Sequence, residues 1–266
     1  MLNGIFKICP IAGLDYETQT QCGRTGENGE YCYEQGETVT FSVGGIVLGS
    51  ALATETLTPA DLHIEVAGNI DKIANRKVTN ITRLLMSLNL ACDYEEKIVI
   101  TDKIREICHT YRKAIYLNQP EDYFTGDPKV QELMEALGSK LVSPYVARNY
   151  LRRSMNGIRK KTDVKIPTRD GGYVLADVFM PEKEGKYPVI ISFGGYGKSF
   201  WVGKESNDEE RELHAKLEDE YFSGIQEETD YISFHIASLA HGDPTPDIPG
   251  LPPKGSVKNP YLTHIS

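Results

Sequence analysis

The 266-residue sequence has no apolar run near the roughly 18 residues needed to cross a bilayer, so no transmembrane segment is expected. It has no excess of positive charge: 29 Lys and Arg stand against 38 Asp and Glu, a net charge of −9. No window interleaves clustered Lys or Arg with aromatics, and the short run Arg159-Lys160-Lys161 suits a solvated helix end, so no nucleic-acid surface is expected. Met1-Leu2-Asn3-Gly4 lacks a basic start, an apolar centre and a small-residue cleavage site, and no secretory signal is expected in this chain. Cysteine is scarce, five in all, with no CxxC spacing and no histidine nearby, which argues against a metal site. No cofactor is expected either. Cys22 and Cys32 flank a glycine-rich loop and can close a disulfide across a hairpin, with Cys9 as a third candidate. Cys92 and Cys108 suit buried small apolar residues in a helical region.

The sequence that is there divides into three parts and predicts an α+β multi-part chain. Residues 1–66 read as a small all-β, sandwich-like domain. Ile5 to Ile8, Tyr31 to Tyr33, Val39 to Val43 and Ile46 to Leu48 are short β-branched and aromatic runs separated by Gly26 to Gly29, Gln35-Gly36 and Gly44-Gly45. Glu37 and Asp61 can be read as cation ligands or as residues that end strands and cap the next helix. Residues 67–158 read as a helical bridge. Val78, Ile81, Leu84, Leu85 and Leu88 recur at three and four, with Asn75 as N-cap. Thr101-Asp102, Asp127-Pro128 and Ser143-Pro144 are further helix starts; Gln119-Pro120 interrupts the first of these helices after Ile115, and Gly138 lies near the end of the second.

Residues 159–266 carry the most specific signals. Val164 to Pro167 and Val174 to Met180 are strands joined by Arg169-Asp170-Gly171-Gly172, a hairpin signature because glycine supplies positive φ. Val189-Ile190-Ile191 is a continuous β-branched run, as expected of a strand covered on both faces. It runs into Gly194-Gly195-Tyr196-Gly197-Lys198-Ser199. A phosphate loop would use Gly197-Lys198-Ser199, but Ser192 stands where that loop needs its first glycine, and Phe200 to Gly203 is a poor helix start.

Acyl transfer is the other chemistry for this tip. Pro167, Arg169-Asp170-Gly171, Leu175-Ala176-Asp177-Val178-Phe179-Met180-Pro181, Tyr187-Pro188-Val189 and Tyr196-Gly197-Lys198 occur in that order. The stretch thereby resembles the amino-terminal edge of the α/β-hydrolases of the cocaine esterase and X-prolyl dipeptidyl peptidase group. That resemblance implies an incomplete α/β-hydrolase sheet in residues 159–266, with the Tyr196 hydroxyl lent to an oxyanion hole. A donor fixed where charge develops is worth roughly 10²–10³ in rate. A tyrosine in a glycine-rich turn also serves as a plain lid on a sheet edge, and both readings stand at this point.

A hydrolase of that group needs a G-x-S-x-G nucleophile elbow, then an acid, then a histidine. No such pentapeptide occurs in the chain, and no SxxK replaces it. His214 suits a solvated helix started at Ser206, and His235, His241 and His264 suit loops or packing positions. The expectation is therefore an amino-terminal fragment or truncated frame, inactive alone, whose parent acts on a small acyl ester or peptide. An exposed sheet edge would favour self-association.

The first hundred residues carry a second resemblance. Gly13-Leu14-Asp15-Tyr16, Gly29-Glu30-Tyr31-Cys32-Tyr33, Gly36 to Gly45, Leu57-Thr58-Pro59-Ala60-Asp61-Leu62 and Asn80-Ile81-Thr82-Arg83-Leu84-Leu85 are similar to an uncharacterised β module of bacterial exported and lipid-anchored proteins. It implies an extracellular or cell-envelope setting, and a noncatalytic binding or adhesion module as the alternative function.

Overall fold

The computed structural model describes residues 1–62, 72–89 and 97–189, together with residues 212, 213, 215, 216, 218 and 219. The first eight strands are short: β1 (Leu2–Phe6), β2 (Ile11–Ala12), β3 (Asp15–Glu17), β4 (Cys22–Arg24), β5 (Glu30–Tyr33), β6 (Thr38–Val43), β7 (Ile46–Leu52) and β8 (Thr56–Leu57). Alternation sets their faces. Along β6, Val39, Phe41 and Val43 point into the core while Thr38, Thr40 and Ser42 do not. Four strands form a sheet in the order β4-β3-β6-β7, and three form another in the order β5-β1-β8. Aromatic rings join the two: Phe6 of β1 lies 4.4 Å from Phe41 of β6, and Tyr31 of β5 meets Phe41 edge-on at 5.3 Å.

A two-residue turn, Gly44-Gly45, closes β6 onto β7 and pairs Val43 with Ile46. Both glycines have positive φ, 54° and 87°, the geometry such a turn requires. Strand β9 (Ile98–Val99) then runs parallel to β2, with Ile11 opposite Ile98.

The helices begin where side-chain oxygens can satisfy the first free N–H groups. In α1 (Arg76–Ser87) the Asn75 side chain accepts from the backbone N–H of Lys77 and Val78; in α2 (Asp102–Tyr111) Thr101 accepts from Ile104. Helix α2 ends at Tyr111, short of the Ile115 suggested by apolar spacing, where the Arg112 guanidinium donates to the His109 carbonyl at 2.7 Å. The six-residue α3 (Glu121–Gly126) follows Pro120 without a side-chain cap. Next come α4 (Pro128–Leu137), capped by Asp127 and closed by Gly138 at φ 66°, and α5 (Pro144–Met155), capped by Ser143. One cluster of buried side chains runs from Phe6 through the sheets and helices to Leu151.

Strands β10 (Ile158–Pro167) and β11 (Tyr173–Pro181) pair antiparallel, with Pro167 opposite Tyr173 and Ile158 opposite Pro181. Gly171, at φ 84°, and an Asp170 carboxylate accepting from the Gly172 N–H form the turn. At the hairpin's root the Glu182 N–H donates to Gly157, and its carboxylate pairs with Lys7 at 2.5 Å. The described residues are thus a mixed α and β structure of small sheets with five α-helices.

No disulfide joins the candidate cysteines: Cys9, Cys22 and Cys32 are free thiols, with Cys22 on β4 and Cys32 on β5 in different sheets.

Candidate binding cleft

The residues of the cleft come from three elements far apart in sequence. Asp15 opens β3, Gly44-Gly45 is the β6–β7 turn, and Arg105, Glu106 and His109 lie on one side of α2. Positions 105, 106 and 109 share a face because residues three and four apart stack on a helix. Together they line an open depression of about 420 Å³.

Its walls are held by charge-assisted bonds. Arg105 Nε donates to Asp15 Oδ1 at 2.9 Å, and the second guanidinium nitrogen reaches Asp102 at 2.9 Å. The third donates to the Gly13 carbonyl. The other Asp15 oxygen accepts from the Gly44 N–H at 3.0 Å. Arg24 on β4 extends the network to Asp102 at 2.9 Å. Arg105 is only 14% exposed, so its pairing with Asp15 is shielded far better than a surface pair. A carbonyl oxygen only accepts, so His109 Nδ1 donates to Gly44 O at 3.2 Å and the ring's orientation is fixed. In the neutral ring this leaves Nε2 as the acceptor. Gly44 admits no side chain, since a Cβ there would strike the Arg105 carbonyl and sit 2.9 Å from the His109 N–H.

None of the six lining residues carries a hydroxyl or thiol. The chemistry available is ionic and hydrogen-bonding recognition by the Glu106 carboxylate, His109 and the turn backbone.

Of the residues singled out from sequence, Tyr196 lies outside the described residues, as do Lys198, Ser199, His214, His235, His241 and His264. Glu37 ends a strand connection: its carboxylate accepts from the Glu34 N–H at 2.7 Å, holding the turn before β6. Its pKa is lowered even though burial acts against that, because hydrogen bonds from Glu34, Thr20 and Thr18 favour the charged form. Asp61 accepts from both the N–H and hydroxyl of Thr58, capping the short 3-10 turn Pro59–Leu62. Among the described residues no group of three or more His, Cys, Asp or Glu is placed to hold a metal, and no helix is long and apolar enough to cross a membrane.

The sequence assigned no binding role to Asp15, Arg105, Glu106 or His109. Asp15 and Gly44-Gly45 entered only through the envelope-module resemblance, and the two glycines also as a strand separator.

Two Escherichia coli proteins resemble part of the chain. One, from strain K12, is named "Putative lipoprotein AcfD homolog" and is 39% identical over 80 residues. The other, from strain O78:H11, is named "Putative lipoprotein YghJ" and is 38% identical over 80 residues. In each case the match takes in 28% of this chain and only 5% of the relative. No family model and no solved structure matches the chain.

Proposed function

We propose that this chain belongs to a cell-envelope protein and that its first 155 or so residues form a noncatalytic binding module. The likeness to proteins named as lipoproteins supports the envelope setting. The observation that carries the binding role is the cleft itself: an open depression whose walls are braced by Arg105, Asp15 and the Gly44 N–H before any ligand arrives. Preorganised walls reduce the ordering cost of binding. The sheets joined by Phe6, Tyr31 and Phe41 act in this reading as a sandwich-like platform for the cleft.

The test is sedimentation of the full chain with isolated bacterial envelopes. Wild type is expected to co-sediment, and a Glu106→Gln, His109→Ala double variant to lose roughly tenfold in affinity, the effect of removing one or two polar contacts. Equal sedimentation of both proteins would remove the cleft from the proposal.

A second reading has its own support. Arg169-Asp170-Gly171 and Leu175 to Pro181, which carry the hydrolase resemblance, lie in the turn and second strand of the β10–β11 hairpin. In that reading the chain is part of a serine hydrolase for small esters or X-Pro peptides. Tyr196 supplies an oxyanion donor and the nucleophile is absent from this chain. Labelling of the full chain by a fluorophosphonate probe, abolished by a single Ser→Ala change, would favour a complete hydrolase over both the binding module and the nucleophile-free fragment.

A further inference from the structure

Ser154 sits in the last turn of α5 and is 4% exposed, and its hydroxyl has no hydrogen-bond partner among the described residues. A serine or threonine inside a helix commonly settles its hydroxyl on the carbonyl four residues back. Thr82 and Ser87 of α1 do so, to Val78 at 2.9 Å and to Arg83 at 2.7 Å, and Thr110 follows α2 with the same bond to Glu106 at 3.3 Å. The Ser154 hydroxyl does not bond to its own helix. A buried hydroxyl left unpaired is costly, and nearly all such groups in folded proteins find a partner.

Ser154 lines a cavity of about 30 Å³ at the root of the β10–β11 hairpin, together with Ile8, Ile158, Arg159 and Glu182. None of its lining residues belongs to the cleft around Asp15 and His109. Ile8 and Ile158 are buried and close the apolar side. The polar side carries complementary groups. Arg159 brings N–H donors, and Glu182, which holds Lys7 through Oε2 at 2.5 Å, keeps Oε1 as an acceptor. A hydroxyl both donates and accepts. The volume admits a water molecule and little more, and a buried water ordinarily makes about three hydrogen bonds. In so small a space one molecule meets every wall.

We propose that this cavity is a binding site for one ordered water molecule, held by Ser154 Oγ together with Glu182 and Arg159. Arg159 belongs to β10 and Glu182 directly follows β11, so the water joins the end of α5 to both strands of the hairpin. It acts beside the Glu182 N–H bond to the Gly157 carbonyl and the Lys7–Glu182 pair, and the three contacts fasten the hairpin to the sheets and helices that precede it.

The experiment compares the full chain with its Ser154→Ala variant by oxygen-isotope magnetic relaxation dispersion of the solvent, which counts waters held long enough to tumble with the protein. Wild type is expected to hold one such water more than the variant. Ser154→Val, whose methyl groups fill the space, should lose the same water, and far-ultraviolet circular dichroism checks that both variants keep their helices. Thermal midpoints give an independent sign. Alanine is the better helix former and removes the buried hydroxyl, so Ser154→Ala should melt higher than wild type where no water is bound. With a bound water lost it should melt lower, by about 2 °C or more. Equal water counts in wild type and Ser154→Ala would overturn the site. Unequal counts with a higher-melting Ser154→Ala variant would overturn its part in fastening the hairpin.

Discussion

At the scale of single residues, burial decides more than identity. Arg83 is 1% exposed, yet its guanidinium donates to the Val142 carbonyl at 2.7 Å, the Glu121 carbonyl at 3.1 Å and the Thr125 hydroxyl at 2.8 Å. Burial pulls its pKa down to about 10 despite the opposing pull of Glu121 and Glu212. It is a buried charge served by neutral acceptors, tying α1 to α3 and to the chain before α5. Cys108 is simpler. It is fully buried on α2, and burial pushes its pKa from 9.0 up to about 12. Tyr31 is likewise pushed up to about 12 by burial. In both groups the folded chain favours the protonated form. Their contribution is complete below the unfolded-state pKa and is lost as pH rises toward the folded one. Stability should hold to about pH 8.5 and then fall, Cys108 alone removing about 1.4 kcal/mol by pH 10 at 1.36 kcal/mol per unit. Thermal melts from pH 7.5 to 10.5 check this, and Cys108→Ala should flatten the part of the decline that begins near pH 9. A slope unchanged in that variant would assign the decline elsewhere.

At the scale of elements, local chemistry was legible and distant pairing was not. Asn75, Thr101, Asp127 and Ser143 announce their helices, because a cap bonds to backbone only two or three residues away. The Asp170-Gly171-Gly172 turn announces the β10–β11 hairpin for the same reason. Helix α3 was not anticipated: it spans six residues and has no side-chain cap. The cleft was invisible because Arg105 and Asp15 are separated by 90 positions, and nothing local in either marks the other. Tyr196, the residue most prominent in sequence, lies outside the described residues. The junction of α2 with the β6–β7 turn offers a direct test. Gly44→Ala places a methyl group against the Arg105 carbonyl in a backbone at φ 54°. Overpacking and left-handed strain together should cost about 2–4 kcal/mol in urea unfolding. Gly36→Ala is the control: its φ is 86° but nothing lies within 4 Å. Only backbone strain of about 1 kcal/mol is expected there. Similar losses at both positions would mean that the α2 contact is not tight.

At the scale of the molecule, the buried cluster from Phe6 to Leu151 includes residues of both the sheets and the helices. A shared core is expected to melt in one cooperative transition. Near-ultraviolet circular dichroism, which senses the packed Tyr31 and Tyr33, should therefore coincide with the helix signal at 222 nm for the full chain. Two separated transitions would instead place an independent unit boundary near residue 66. The parallel pairing of Ile11 with Ile98 gives that shared core a history in time. A ribosome adding about 5–20 residues per second delivers β2 several seconds before β9 exists. Strand β2 must wait without its sheet partner until Ile98 and Val99 emerge. A stall in translation before that point would leave the two larger amino-terminal sheets with all their strands while β2 still lacks its partner, and a chaperone that shields β2 in the interval would cover that open edge.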